Sequence, residues 1–288
     1  MGAEPGTPRS AGTRPVVAAA AFVVLAVLIS PGEADEPRID ELRVCADPNN
    51  LPFSNDAEQG FENRIAEIVA DEVGAPLSYT WWAQRRGFIR NTLGAGACDL
   101  VVGVPAESEN VETTRPYYRS TYVFVHRAQL EPPLESMLDP RLRELDIGVH
   151  LIGDDGANPP PVHALGRLGI VDNVSGYPIY GDYRQRDPPA RVIDAVARGD
   201  IDVAAVWGPL GGYFAHRTPT VLVVSPIVDT ERFAGLPFEF SVAMGVRKGE
   251  TLLRDRLQRV LDRRGRDIRQ VLIDYHVPLI PTEQEVSR

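Results

Sequence analysis

Lysine is almost absent: of 30 basic residues only Lys248 is not arginine, the mark of a genome that favours arginine codons. Cysteine is scarce too, with two residues, too few for a disulfide scaffold or a cysteine-built zinc site. The five histidines, His126, His150, His163, His216 and His276, share no metal-ligand spacing, so no metal is expected. A Gly-x-Ser-x-Gly elbow is missing, as is any carboxylate placed by motif for acid catalysis, so no catalytic residues are assigned. The Gly-Asp-Asp-Gly-Ala-Asn run at 153–158 lacks the alternating ligands and closing Glu of a calcium loop and reads as a solvated turn. Forty acidic residues give a net charge of −10, which argues against nucleic acid or an anionic membrane as partner.

The remaining composition is that of an average globular protein, 43% hydrophobic and 24% charged over 288 residues, enough for two domains. One apolar run stands out, Val16–Ile29, of 14 residues. A bilayer span needs about 20. Arg9 and Arg14 precede the run, and Gly32 and Ala34 occupy the −3 and −1 positions of a cleavage site. Residues 1–34 therefore read as a secretory signal peptide of the general export route. No later run approaches spanning length, so the expected product is a periplasmic protein of about 254 residues that does not span the membrane.

Beyond the leader, hydrophobic periodicity alternates between strand and helix. Leu42–Ala46 is a strand, followed by a loop rich in Asp, Asn and Pro. Ile65, Ile68, Val69 and Val73 recur at helical spacing and Gly74 closes the helix. Leu77–Trp82 and Asp99–Val104 are strands, with a helix over Phe88–Leu93 between them. This order predicts a parallel sheet with right-handed crossovers. A strand over Thr121–Val125 leads through a proline-bearing connection to a second alternating set. Its strands are expected at 147–149, 177–180, 203–206 and 220–224, its helices at 162–168 and 190–198. After a strand at Phe240–Val246 the pattern predicts two amphipathic helices, the first ended by Gly265 and the second capped by Asp267.

The run from Leu42 to Asn55, with Gly60-Phe61-Glu62-Asn63 opening a helix, resembles the start of periplasmic solute-binding proteins. Thr113–Val125 resembles that family's segment into the first inter-lobe strand, and Phe240–Lys248 its return strand. The resemblance implies an α/β, two-lobed periplasmic binding protein fold of type 2, each lobe a mostly parallel sheet flanked by helices, with a two-strand hinge. It places lobe 1 at 39–124 plus 238–280, lobe 2 at 125–237 and a flexible tail at 281–288. A narrower similarity, to MoxJ/XoxJ-type proteins, lies in Tyr79–Leu93, Val203–Ala215 and Asp274–Leu279. It implies a non-catalytic accessory factor without a cofactor of its own. The implied partner is a pyrroloquinoline-quinone (PQQ) dehydrogenase for methanol or other alcohols, or that enzyme's cytochrome c. The alternative is an importer's binding protein that closes over a small polar, aromatic or carboxylate-bearing solute.

Amino-acid-binding members grip a zwitterion between an arginine after the third strand and an aspartate in the second lobe. Here no arginine follows Val104 before Arg115, and Trp207-Gly208-Pro209 stands where the aspartate motif is expected. Both clamps are missing, so tight binding of ordinary L-amino acids is not expected. The expected cleft is polar and aromatic: Asp47, Asn49, Asn50 and Phe53 from the first loop; Trp82, Arg85 and Arg86 beyond the second strand; Tyr117 and Arg119 at the hinge; Trp207 from the other lobe. Arg85 and Arg86 read equally well as surface charges. An exported chain permits a disulfide between Cys45 and Cys98. However, Cys98 starting the third strand and Cys45 ending the first would lie toward opposite ends of neighbouring parallel strands, so their pairing stays open.

Overall fold

The structure, a computed structural model, describes residues 1–4, 6, 38–151, 158–179 and 185–281. The expected leader and tail fall outside these residues except at 1–4, 6 and 281. Residues 39–288 form one unit, distinct from 1–38.

The first α/β set begins with β1 (Leu42–Ala46), whose loop carries the short pair β2 (Asn49–Asn50) and β3 (Ser54–Asn55). Helix α1 (Phe61–Val73) follows and buries Phe61, Ile65, Ala66 and Val69, one stripe at helical spacing. Gly74, in the left-handed region at φ 69°, closes it as its position predicts. β4 (Leu77–Trp81) pairs parallel with β1, Val44 opposite Tyr79. After the single turn α2 (Phe88–Asn91), β5 (Val101–Pro105) runs beside β1, tied by a parallel bridge between Val44 and Leu100. The strip β6 (Glu112–Thr113) leads into β7 (Tyr118–Arg127).

β7 belongs to both halves. Residues 118–121 pair antiparallel with β12 (Glu239–Val246), and residues 122–126 pair antiparallel with β10 (Val203–Trp207). β8 (Ile147–Leu151) and β9 (Val174–Pro178) extend β10 as a parallel sheet, and β11 (Leu222–Pro226) lines the other edge of β7. Helices α3 (Pro160–Arg167), α4 (Arg191–Arg198) and α5 (Gly208–Arg217) complete the second set. β10 is covered on both faces: Val203 and Ala205 pack with Phe124 and Ile147, while Ala204 and Val206 pack with Val192 and Leu210. The two-lobed arrangement with a two-strand hinge is thus the observed fold.

One open pairing is resolved and two local readings change. Cys45 and Cys98 are joined by a disulfide, their Cα atoms 5.5 Å apart. The expected strain does not arise, because β5 begins only at Val101. The Asp99 amide donates to the Arg43 carbonyl at 2.7 Å, and this turn brings Cys98 level with Cys45. Next, between the strands expected at 203–206 and 220–224, where the sequence pattern assigns no element, the chain forms the helix α5. Gly211 and Gly212 are used for close approach: a Cβ at 211 would strike Val123, and one at 212 the carbonyl of His276.

Finally, the two expected C-terminal helices are one, α6 (Thr251–Asp274), running through Gly265. Its buried stripe Leu257, Val260, Leu261, Ile268 and Leu272 continues past the glycine into the same core as α1. That packing outweighs the cost of about 1 kcal/mol for a glycine in a helix. Nothing lies within 4 Å of a Cβ at 265. Gly265→Ala should therefore stabilise the protein by about 1 kcal/mol, a rise in Tm of about 2–4 °C by calorimetry.

Candidate functional site

The carboxyl ends of β1 and β4 are joined by Asp47, which is buried. Asp47 accepts from the Asn49 amide at 2.8 Å and from the Gln84 amide at 2.6 Å. Ser54 Oγ donates to the Asp47 carbonyl, and the Asn50 side chain donates to Gln84 Oε1 at 3.1 Å. The loop of β2 and β3 is thereby set rigidly against the loop after β4. From it Asn49 reaches the second half: its Nδ2 donates to the Gln185 carbonyl at 2.8 Å, and its Oδ1 accepts from the Asp187 amide at 3.3 Å. Leu51 follows it, buried among Val192, Leu210 and Tyr213 of the second half. Phe53 turns back and meets Phe61 edge-on at 5.2 Å.

At the hinge, Trp207 ends β10 and packs edge-on against Tyr122 at 5.3 Å and Phe240 at 5.6 Å, one ring from each hinge strand. Arg119 is bound to Glu239 at 2.6 Å and to the Pro281 carbonyl, so it ties β7 to β12. Tyr117 donates to the Val102 carbonyl at 3.1 Å, and burial drives its hydroxyl far above the usual phenol range. Behind the hinge, α5 meets the segment after α6. Tyr213 stacks on Tyr275 at 5.6 Å and His216 on His276 at 3.6 Å. Burial, then the neighbouring His216, lowers the pKa of His276.

The structure thus groups Asp47, Asn49, Asn50 and Phe53 in one braced loop and sets Tyr117, Arg119 and Trp207 around the strand crossing. Trp82, Arg85 and Arg86 are exposed on the loop after β4, which Asp47 and Asn50 tie to that braced loop through Gln84. Trp82 is 46% exposed and stacks on no ring among the described residues. Beside this loop a groove of about 640 Å³ is lined by Gln84, Arg85, Phe88 and Arg90 on one side and by Gly103 and Pro105 on the other. Sequence positions 152–157 and 180–184, just past β8 and β9, lie outside the described residues.

Two titratable groups near these elements were not singled out from sequence. Glu62, in the first turn of α1, lies over β5, where a Cβ at Gly103 would strike its Oε1. Glu62 also bears on Tyr117 and Tyr118, raising both hydroxyls further. Among the described residues no cation faces it, and burial pushes its carboxyl up to about 8. The one sequence signal was a Glu directly after the Gly-Phe helix opening, and it does not reveal burial.

The second group is His150 on β8, buried, with Nε2 3.1 Å from the Pro189 carbonyl and Nδ1 without a partner among the described residues. Burial lowers its pKa to about 4, while the bond to Pro189 opposes this. As pH falls below the ordinary histidine value the unfolded chain takes up the proton first, so stability is lost between about pH 6.5 and 4. The loss is about 3 kcal/mol. His150→Gln, which keeps a donor for Pro189, should flatten that limb in urea titrations, whereas an unchanged limb would assign it elsewhere.

The chain is 31% identical over 290 residues to Protein MoxJ of Methylorubrum extorquens, a match covering 92% of this chain and 94% of that protein. It belongs to the MoxJ family of periplasmic binding proteins. Protein MoxJ of Paracoccus denitrificans is 30% identical over 262 residues, 88% of this chain and 94% of that one. The crystal structure of periplasmic binding protein XoxJ from Methylobacterium extorquens AM1 superposes with a TM-score of 0.70 at 38% identity, covering 84% of this chain and all of that one. No family model matches the chain. In this MoxJ-family chain the first arginine after β5, Arg115, is bound to Asp262 of α6 at 2.7 Å. Among the described residues no group of three His, Cys, Asp or Glu is placed to hold a metal, and no helix is long and apolar enough to cross a membrane.

Proposed function

We propose that the chain is a non-catalytic accessory factor of a PQQ-dependent methanol or alcohol dehydrogenase, working in the periplasm after removal of its leader. It binds the dehydrogenase or that enzyme's cytochrome c. The observation that carries this reading is the match to MoxJ over nearly the whole of both chains. Arg115 supports it, since this guanidinium is committed to α6 and an amino-acid clamp is left without its cation. In co-purification the dehydrogenase or its cytochrome should be retained, and a deletion strain should lose alcohol oxidation. Retention of neither, with normal oxidation in the deletion strain, would overturn the reading.

A second reading, an importer's solute-binding protein, is favoured by the Asn49 bridge, because contact between the halves is what closure over a solute requires. It predicts a rise in Tm with a small polar or aromatic solute. Under either reading, calorimetry with the ordinary L-amino acids should show no micromolar binding.

A further inference from the structure

Helix α5 starts where β10 leaves the hinge, and Gly208, Gly212 and His216 recur along it at the spacing that keeps residues on one face. This stripe meets the first half. A Cβ at 208 would strike the Thr121 carbonyl of β7 and press on Pro278, and one at 212 would strike the His276 carbonyl. The two glycines therefore let the helix lie directly against backbone. His216 continues the stripe by stacking on His276, ring centroids 3.6 Å apart. Beside it Tyr213 stacks on Tyr275 at 5.6 Å, and the Tyr275 hydroxyl donates to the Gln59 carbonyl at 2.7 Å, just before α1. The loop of β2 and β3 adds the rest. Leu51 is 6% exposed and shares a cluster with Val192, Leu210 and Tyr213 of the second half. Asn49 bonds the Gln185 carbonyl and the Asp187 amide.

We propose that the β2–β3 loop and the α5 stripe form a standing clasp, which holds the two lobes closed by the chain's own contacts. Surfaces that part and meet repeatedly are wetted each time they part, so apolar groups on them penalise opening. Here opening would draw Leu51 out of a core cluster and unstack two pairs of rings. It would also lift α5 from the backbone its glycines admit. Such a clasp goes beyond both functional readings. A surface fixed across two lobes suits a folded partner, since a preorganised surface costs less to order on binding. A solute carrier instead has to part its lobes to load and release.

The test places spin labels on α1 of one lobe, at Asp71→Cys, and before β9 of the other, at Asp172→Cys, both exposed positions. Their separation is read by double electron–electron resonance in the full mature chain, with its disulfide intact and no solute added. The labelled chain should give one narrow distance. Adding Leu51→Ser should bring in a second distance, because a buried leucine favours the closed state by about tenfold or more. Asn49→Ala should broaden the distribution by a smaller amount. A broad or two-peaked distribution before either change overturns the clasp, as does a single unshifted distance in a folded Leu51→Ser chain. Circular dichroism and Tm report folding. If Leu51→Ser does not fold, Asn49→Ala decides, and an unshifted narrow distance there overturns the clasp. Neither result touches the accessory role, which co-purification tests separately.

Discussion

Replacing Cys45 and Cys98 together by alanine is expected to lower the unfolding free energy by about 4 kcal/mol. The bond closes a loop with a sequence separation of 53 residues, and the unfolded chain regains the entropy of that loop when it is opened. The loop holds α1, β4 and α2, so most of the first half lies inside it. Both cysteines are buried beside Phe88, Leu93 and Val101. Alanine therefore also leaves two small gaps in that cluster, and the loss should not fall below the entropic value. Urea unfolding of the oxidised wild type, the reduced wild type and the double variant measures it. Equal midpoints for the oxidised and reduced wild type would rule out a stabilising bridge.

Glu62→Gln should act in the opposite direction. A carboxyl held at about 8 in the folded chain keeps its proton where the unfolded chain, with the ordinary value of 4.5, has lost it. Between those values the unfolded state binds fewer protons, so stability falls as pH rises from about 4.5 to 8. The full shift would be worth about 5 kcal/mol, and the group's partial contact with solvent reduces this to about 2–4 kcal/mol at pH 8. The amide is close in shape and carries no charge to bury, so the variant should unfold later than wild type at pH 8 and equally at pH 4.5. Identical profiles at both pH values would mean that Glu62 ionises freely. A cation entering beside Glu62 would lower the carboxyl's pKa, so any ligand that does so should release a proton, visible as a buffer-dependent heat.

Much of the architecture was legible because each element announced its own boundary. The α1 stripe ended at a glycine, and β1, β4 and β5 alternated with helices in the order a parallel sheet requires. What escaped depended on contacts far along the chain. Gly265 is a helix breaker by propensity, and only the stripe packed with α1 keeps α6 whole. The α5 glycines gave no helical signal of their own, and it is β7 and His276 that leave no room for a side chain at 211 and 212. The loop residues Asp47, Asn49, Asn50 and Phe53 could be grouped from sequence because they are neighbours. The burial of Glu62 could not, since it needs β5 laid across the first turn of α1. Sequence placed Arg119 in the cleft at the hinge but not its partner Glu239, which lies 120 residues away.

β7 gives one half to each lobe, and its first half finds its partner only in β12, near the far end of the chain. A chain emerging amino end first can complete the β8–β11 lobe once residue 238 is out, since Ile227, Phe233 and Phe238 belong to its core. The other lobe has to wait until residues 239–274 bring α6 and β12, the strand that joins β5 to β7. As the chain is made, the later-numbered lobe would therefore be finished first. The earlier one would stay open to proteases and helper proteins until its last helix has emerged.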